Sequence, residues 1–578
     1  MQVIDRRLQH APDGALVHEE RHRPEQTTLY RLVQQHAATF FAQAEEAAGV
    51  DLQQFVKDEF DAFLEYGILA HGCLRLRCGD CGHDKLVVFS CRRRGSCSWC
   101  GARRMAQTAA DLVDHVIPHV SVRQWVHSLP IPLRLLLAAL PKLVAPALQV
   151  VHHVITRRLL GQVGPKADEA DSGAVRLIQR FGSGANLNTH LHCLVLDGVY
   201  RRGKDGAPAV VDVFAPTAEA LRTVLHKLIN RTLKLLTRRG VLVEEEGSTC
   251  MAEHYGDSED ARALRPLQAA ACTYGIAFGP RAGLKVLTLQ GVMPTEKGFL
   301  QDLCADNDGF SLHAAVRCGA EVRQALEQLC RDITRPALAN GRVRRNASGQ
   351  AVPKLKTPWR DGTRHWVLSA LEFMQRMAAL VQRPRLHRIR FHGVLASNAK
   401  LRAMVMPQEP EEGAETVKPT ECEADCAHHR PVLLSWARLL KRVFDLDLEH
   451  CPNCGNELKV IAAILEQPVI EKILTHLGLE ARVPPRGPAV LLKAPAQAAG
   501  MKQADMADPQ AAQRATGYLL GAISLLGQKK RPRTFIDQSA GDWPSVFVSA
   551  GQCGLEVELA SALLAQLTDA RFAAIGRD

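Results

Sequence analysis

Tyrosine is scarce in this chain: six in 578 residues, with aromatics together only 5%. Any chemistry that needs a phenol must therefore come from Tyr30, Tyr66, Tyr200, Tyr255, Tyr274 or Tyr518. Uninterrupted apolar runs are missing too. The most apolar stretch, "SLPIPLRLLLAALPKLVAPALQVV", is cut by Arg134, Lys142 and four prolines, which excludes a bilayer span and suggests a buried helical connector. The opening "MQVIDRRLQHAPDG" has no apolar signal core, and no internal repeat is visible. Without signs of secretion, the 17 cysteines point to metal ligands or free thiols, not to a disulfide frame.

A net charge of +11 favours an anionic partner. The excess is local: Arg342 to Arg402 holds fourteen Lys/Arg against Asp361 and Glu372, with Trp359 and Trp366 inside "KTPWRDGTRHW". Cations interleaved with aromatics suit a nucleic-acid backbone and its stacked bases, and a solvated basic face is the plainer alternative. Arg360, Arg364, Arg388 and Arg390 join Trp359 as candidate DNA-binding residues.

Cys78, Cys81, Cys97 and Cys100 form C-x2-C-x15-C-x2-C, a spacing that lets two knuckles close on one tetrahedral Zn²⁺. Four thiolates leave no open position, so such a site holds a fold together. Cys451 and Cys454 in "EHCPNCG" are a second candidate pair, with Cys422, Cys426, His428, His429 and His450 as possible partners. In "NTHLHCLVLDGVY", His190 and His192 lie one residue apart on a predicted strand, so both rings project to one face and can share a metal ion.

Apolar periodicity predicts two helices over 27–67, helix over 105–160, a hairpin of "AVRLIQRFG" with the HLH strand, and a helix over 216–236. The strand "GFSLHAAVR" and the helix "AEVRQALEQLCRDIT", stopped by Pro336, follow, and strand-rich basic sequence runs to about 405. The expected architecture is multidomain α+β. It comprises an N-terminal helical region (1–70), a zinc-binding module (71–125), a helical connector (126–165) and a central domain (166–405) of antiparallel sheet with helices. A linker (406–430), a small CxxC unit (431–480) and a low-order tail (481–578) complete it.

The order of the four-cysteine module, "VRQWVHSLPIPLR", "LIQRFGSGANLNTHLHCLVLDGVY", "KTPWRDGTRHW", "RIRFHGVLASNAKLR" and "EHCPNCGNELKVIAAILE" resembles rolling-circle transposases of the insertion-sequence-ninety-one and common-region type, in the HUH endonuclease superfamily. The resemblance covers roughly residues 50 to 480. It implies that the central domain is an HUH nuclease in which His190 and His192 hold Mg²⁺ or Mn²⁺ with a third polar ligand, expected to be Gln179, with His313 and Asp197 as competitors. It also implies a tyrosine nucleophile on the helix "LEQLCRDITRPAL", where this chain has Asp332, with Gln328 four residues earlier. The implied partner is single-stranded DNA at mobile-element ends, with a host helicase possible, in the bacterial cytoplasm at the nucleoid. A non-enzymatic zinc-dependent DNA-binding protein, or a replication initiator or relaxase, would share these features.

Overall fold

The computed structural model describes residues 23–89, 97–163, 170–202, 207–245, 248–251, 259–290, 303–359, 361–384, 386–407, 447–487, 497–501, 509–518, 523–530, 532–552 and 555–575. Helices α1 (Thr28–Ala48) and α2 (Gln54–Glu65) open the chain. The Thr27 side chain caps α1 by accepting from the Tyr30 amide, and Gly49 ends it in a left-handed turn at φ 66. Leu29, Leu32, Val33 and Phe40 bury one stripe against Val56, Phe60 and Phe63 of α2.

Strands β1 (Cys73–Cys78) and β2 (Asp84–Val88) form an antiparallel hairpin, and strand Leu458–Ile464 adds to the free side of β1. The cysteine module and the CxxC unit, expected as separate domains 71–125 and 431–480, therefore share one sheet. Helix Gln467–His476 packs beneath it through Ile470 and Leu474. Helix α3 (Ser98–Asp111) leaves this unit and packs elsewhere.

The central sheet is antiparallel. Its order is Cys304–Asn307, Phe310–His313, β3 (Val122–Ser128), β6 (Leu187–Leu196), β5 (Gly173–Phe181) and Ile389–Gly393, with Arg317–Cys318 also pairing β3. Strand β4 (Ala170–Asp171) lies outside it, pairing with Gly198–Arg202. The β5–β6 hairpin follows the predicted pairing. Strand β3 lies inside the region expected to be helical and crosses the expected boundary at 125/126. In this seven-residue strand the three apolar residues, Val122, Trp125 and Val126, fall at i, i+3 and i+4, a spacing that suits a helix, and the run is too short for periodicity to separate the two.

One face of the sheet, through Trp125, Ile178, Leu191 and Cys193, is covered by α4 (Ile131–Ala139), α5 (Val144–Gln162) and α6 (Ala218–Arg238). The expected connector is thus a layer of the central domain. The opposite face, through Val122, Val175, Leu177 and Leu194, is covered by α3 and, after α7 (Glu259–Cys272), by α8 (Arg323–Thr334). Helix α9 (Ala370–Leu380) interrupts the stretch expected to be strand-rich. Its signal was present, since Ser369 and Glu372 form a capping box. Helix α1 packs on α9, joining the N-terminal pair to the central domain.

The segment after 481, expected to be poor in order, forms a helix at Pro509–Thr516, a parallel pair Phe535–Asp537 with Arg571–Ala573, an antiparallel pair Val546–Ser549 with Glu556–Leu559, and a helix Ser561–Thr568. Its core is thin: Ile536 and Leu564 are buried, while Trp543 and Phe547 stay exposed. Residues 408–446, which hold most of the expected linker (406–430) with Cys422, Cys426, His428 and His429, lie outside the described residues.

Candidate functional site

Two loops of the same design meet at the end of the small sheet. After β1, the Cys78 amide donates to the His83 carbonyl at 2.9 Å and Gly82 adopts φ 73. In the second loop the Cys451 amide donates to the Asn456 carbonyl at 2.7 Å and Gly455 adopts φ 77. Each glycine directly follows the second cysteine of its pair, where the backbone must turn left-handed.

The sulfurs of Cys78, Cys81, Cys451 and Cys454 all lie within 4.8 Å of one another, with 3.4 Å from Cys78 to Cys454 and from Cys81 to Cys451. Zinc–sulfur bonds of about 2.3 Å in a tetrahedron put sulfurs roughly 3.8 Å apart, so the set fits Zn²⁺. Backbone N–H groups of Cys81 and Asp80 draw the Cys78 thiol down to about 7, toward the thiolate that zinc takes.

The expected set of Cys78, Cys81, Cys97 and Cys100 is therefore corrected. Cys97 caps the start of α3, its sulfur accepting from the Cys100 amide at 3.4 Å, and both are buried against the larger core. The error has a physical origin. Spacing shows which two cysteines share a knuckle, whereas which knuckles share an ion depends on strand pairing 380 residues away in the chain. His450 is turned to Asp447, and His83 receives the Asn453 amide, so neither enters the cluster. Cys91 lies outside the described residues.

His190 and His192 project from β6 to the face covered by α3 and α8, their ring centroids 4.8 Å apart. Nδ1 of His190 donates to the Asn188 carbonyl at 2.7 Å, which leaves Nε2 as a bare lone pair. Nδ1 of His192 lies 2.8 Å from the Gln124 amide nitrogen, and its buried Nε2 has no partner. Turning that amide over puts Oε1 on Nδ1–H and bares the second Nε2, the arrangement usual behind a metal-bound imidazole. Burial pushes His190 down to about 4 and His192 well below its ordinary value. Arg335 adds to both, Arg134 to His190 and Lys356 to His192. Both rings are neutral at pH 7, the form that ligates.

Gln179 stands directly across from His190 in register. Its amide nitrogen donates to the carbonyls of Ile333 at 2.7 Å and Asp332 at 3.4 Å, tying the last turn of α8 to the histidine strands. Leu326, Cys330 and Ile333 bury the inner face of α8, while Asp332 is half-exposed and pairs with Lys356 at 3.0 Å. The competing ligands stand apart. Asp197 is buried between Arg123 at 3.0 Å and Arg317 at 2.7 Å, and His313 faces the Cys304 sulfur at 3.2 Å. Removing Asp197 leaves Arg123 charged and buried, so Asp197→Ala is expected to cost about 3–5 kcal/mol in denaturant unfolding of the central domain.

Tyr274 sits close to the start of β6. Its hydroxyl accepts from the Asn186 amide at 3.3 Å, just before β6, and its ring packs edge-on against Trp359 at 4.9 Å and Trp366 at 5.8 Å. Trp359 is half-buried in this cluster, and Trp366 is core at 1% exposure. Arg390 is exposed on the edge strand, Arg364 and Arg388 are half-buried, and Arg360 lies outside the described residues. A cleft of about 280 Å³ opens beside Gln179, lined by Arg104, Thr108, Phe181, Arg335 and Arg388. Sequence reasoning named neither Gln124 nor Arg335. Gln124 carried no distinct signal, being one of four polar residues in β3.

Comparison with known families decides the identity. Residues 32–129 match the family described as "Transposase zinc-binding domain", of the IS91 type, and residues 173–402 match "Putative transposase". The chain belongs to the IS91-like transposases. The two matches together span more than half of the transposase and hold Cys78, Cys81, both site histidines and Asp332. A separate likeness, 36% identical over 84 residues, is to "Putative Cys-tRNA(Pro)/Cys-tRNA(Cys) deacylase EbsC" of Enterococcus faecalis. It covers 14% of this chain, which spans about half (51%) of that relative. A solved structure titled "Epitope backbone grafting by computational design for improved presentation of linear epitopes on scaffold proteins" aligns at 20% identity over 15% of this chain and 57% of its own. Its TM-score of 0.15 carries no argument. Among the described residues no single helix is long and apolar enough to cross a membrane.

Proposed function

We propose that the transposase binds single-stranded DNA ends of a mobile element in the manner of HUH enzymes, and that Asp332 has replaced its nucleophile. The observation that carries this reading is the meeting of α8 with the two histidines, through Gln179 and the carbonyls of Asp332 and Ile333. His190 and His192, with the Gln179 carbonyl oxygen as third donor, would hold Mg²⁺ or Mn²⁺, which supplies polarisation of a phosphate. The protein's own part is electrostatic. Arg134, Arg335 and Lys356 surround the imidazoles with positive charge that attracts a DNA phosphate. A tyrosine at position 332 would attack phosphorus, displace the 3′ oxygen and keep the 5′ phosphate as a covalent ester. An Asp carboxylate offers only a labile acyl phosphate and repels the phosphate it would have to approach.

The direct test is metal-dependent nicking of labelled single-stranded element ends, with weak or no cleavage expected from the native chain. Binding itself should be led by the DNA backbone. If about six phosphates are neutralised, the slope of log affinity against log salt is near −4 on a single strand. Exchanging Arg364 and Arg390 for Ala should flatten it to about −3. A slope near zero in filter binding would remove the basic window as the DNA surface.

The deacylase likeness supports a separate reading of the C-terminal segment. Residues 403–578 form the one interval outside both family matches long enough to hold 84 residues. We place the likeness there. The thin core and the exposed Trp543 and Phe547 suit half of a domain whose other half is not matched. Deleting residues 497–578 is then expected to leave DNA affinity unchanged and to raise solubility. Loss of DNA binding in this truncation would count against the placement.

A further inference from the structure

The face of the central sheet turned away from His190 and His192 holds a second cluster of cations. Arg176 on β5 is 1% exposed, and its Nε has no partner. One of its terminal nitrogens donates to the Leu148 carbonyl of α5. His392, on the edge strand beside it, has a buried Nε2 without a partner, and its ring lies 4.5 Å from that of His152. His152 in turn meets the Thr156 hydroxyl through Nδ1 at 3.2 Å, and Ser172 donates to the same hydroxyl at 3.3 Å. Arg390, directly opposite Arg176 in register, and His153 are exposed at the rim.

We propose that Arg176, His152 and His392 form a binding site for a phosphate group, separate from the nuclease site. A buried arginine is ordinarily paired, because an uncompensated charge is costly to bury. Among the described residues, the groups that act on these three side chains are one another, His153, Arg390 and the Cys193 thiol, with no carboxylate among them. Burial, then the Arg176 charge, pushes His392 down to about 3 and His152 to about 4, and burial pushes Arg176 down to about 10. An anion would reverse each of these effects. A metal ion would not fit, because Arg176 repels it. The guanidinium nitrogens and imidazole N–H groups are the donors that phosphate oxygens accept from. With Arg390 and His153 exposed at its edge, the source of the phosphate is either the free ion or a nucleic-acid backbone.

Equilibrium dialysis of the full chain with radiolabelled inorganic phosphate tests the site. The native protein should hold one more phosphate per chain than Arg176→Met, and His392→Gln, a half-buried position tolerant of change, should weaken that phosphate about tenfold. Histidine NMR should show the His392 imidazole pKa rising as phosphate is added. An oligonucleotide arm separates the sources. A single strand that displaces the labelled phosphate and binds less tightly to Arg176→Met assigns the site to backbone phosphate. Unchanged strand affinity, with phosphate binding still lost, assigns it to the free ion. Equal phosphate binding by the native chain and both variants overturns the proposal.

Discussion

Asp332→Tyr is expected to turn a DNA-binding protein into a nicking enzyme, with a gain on the order of 10⁶-fold, the size of loss seen when a hydrolase is stripped of its nucleophile. The scaffold favours the exchange. Asp332 is half-exposed, and its pair with Lys356 is a surface pair, worth at most about 1 kcal/mol. The helix is held instead by Leu326, Cys330 and Ile333, and by Gln179 at its last carbonyls, none of which the substitution touches. Lys356, released from Asp332, would remain beside the phosphate. The product should carry protein on the DNA 5′ end, and mass spectrometry should place the adduct on residue 332. His190→Ala or His192→Ala in that background should abolish nicking by removing the metal. Vigorous nicking by the native chain, or an adduct on Tyr274, would show that the nucleophile lies elsewhere. An inert Asp332→Tyr that still binds metal and DNA would favour a purely binding protein.

The second large effect concerns zinc. Cys451→Ser is expected to be as damaging as Cys78→Ser, although one residue lies in the C-terminal unit and the other in the N-terminal module. Each should release the zinc and separate strand Leu458–Ile464 from β1, since metal binding of about 10–16 kcal/mol is folding free energy for such a unit. Loss of one zinc per chain in elemental analysis, with new proteolytic sensitivity around residues 447–487, is the expected signature. Cys97→Ser is the control, because Cys97 acts as a helix cap and a serine hydroxyl fills that role equally well, so this variant should keep its zinc and its stability. If Cys97→Ser loses the same zinc and Cys451→Ser retains it, the ligand set read from spacing alone was right after all.

What the chain determined by itself was local. The 3.6-residue stripes of α1, α2 and α6, the β5–β6 hairpin, the alternation that puts His190 and His192 on one face, and the Pro336 stop after α8 are all set by neighbours within a few residues. Each could therefore be read without a fold. Asp332 was singled out by the resemblance, which implies a tyrosine on that helix, and not by the local pattern. Tertiary structure decided which distant segments share a site. Cys78 and Cys81 meet Cys451 and Cys454 because β1 has a free edge that only strand Leu458–Ile464 fills, and hydrogen bonding along that edge sets the register of the two loops. Strand β3 escaped notice because its apolar residues satisfy a helix as well as a strand, and only its place between Phe310–His313 and β6 fixes it as a strand. The charge on the site histidines is likewise a property of burial, and burial is not written in the spacing of two imidazoles.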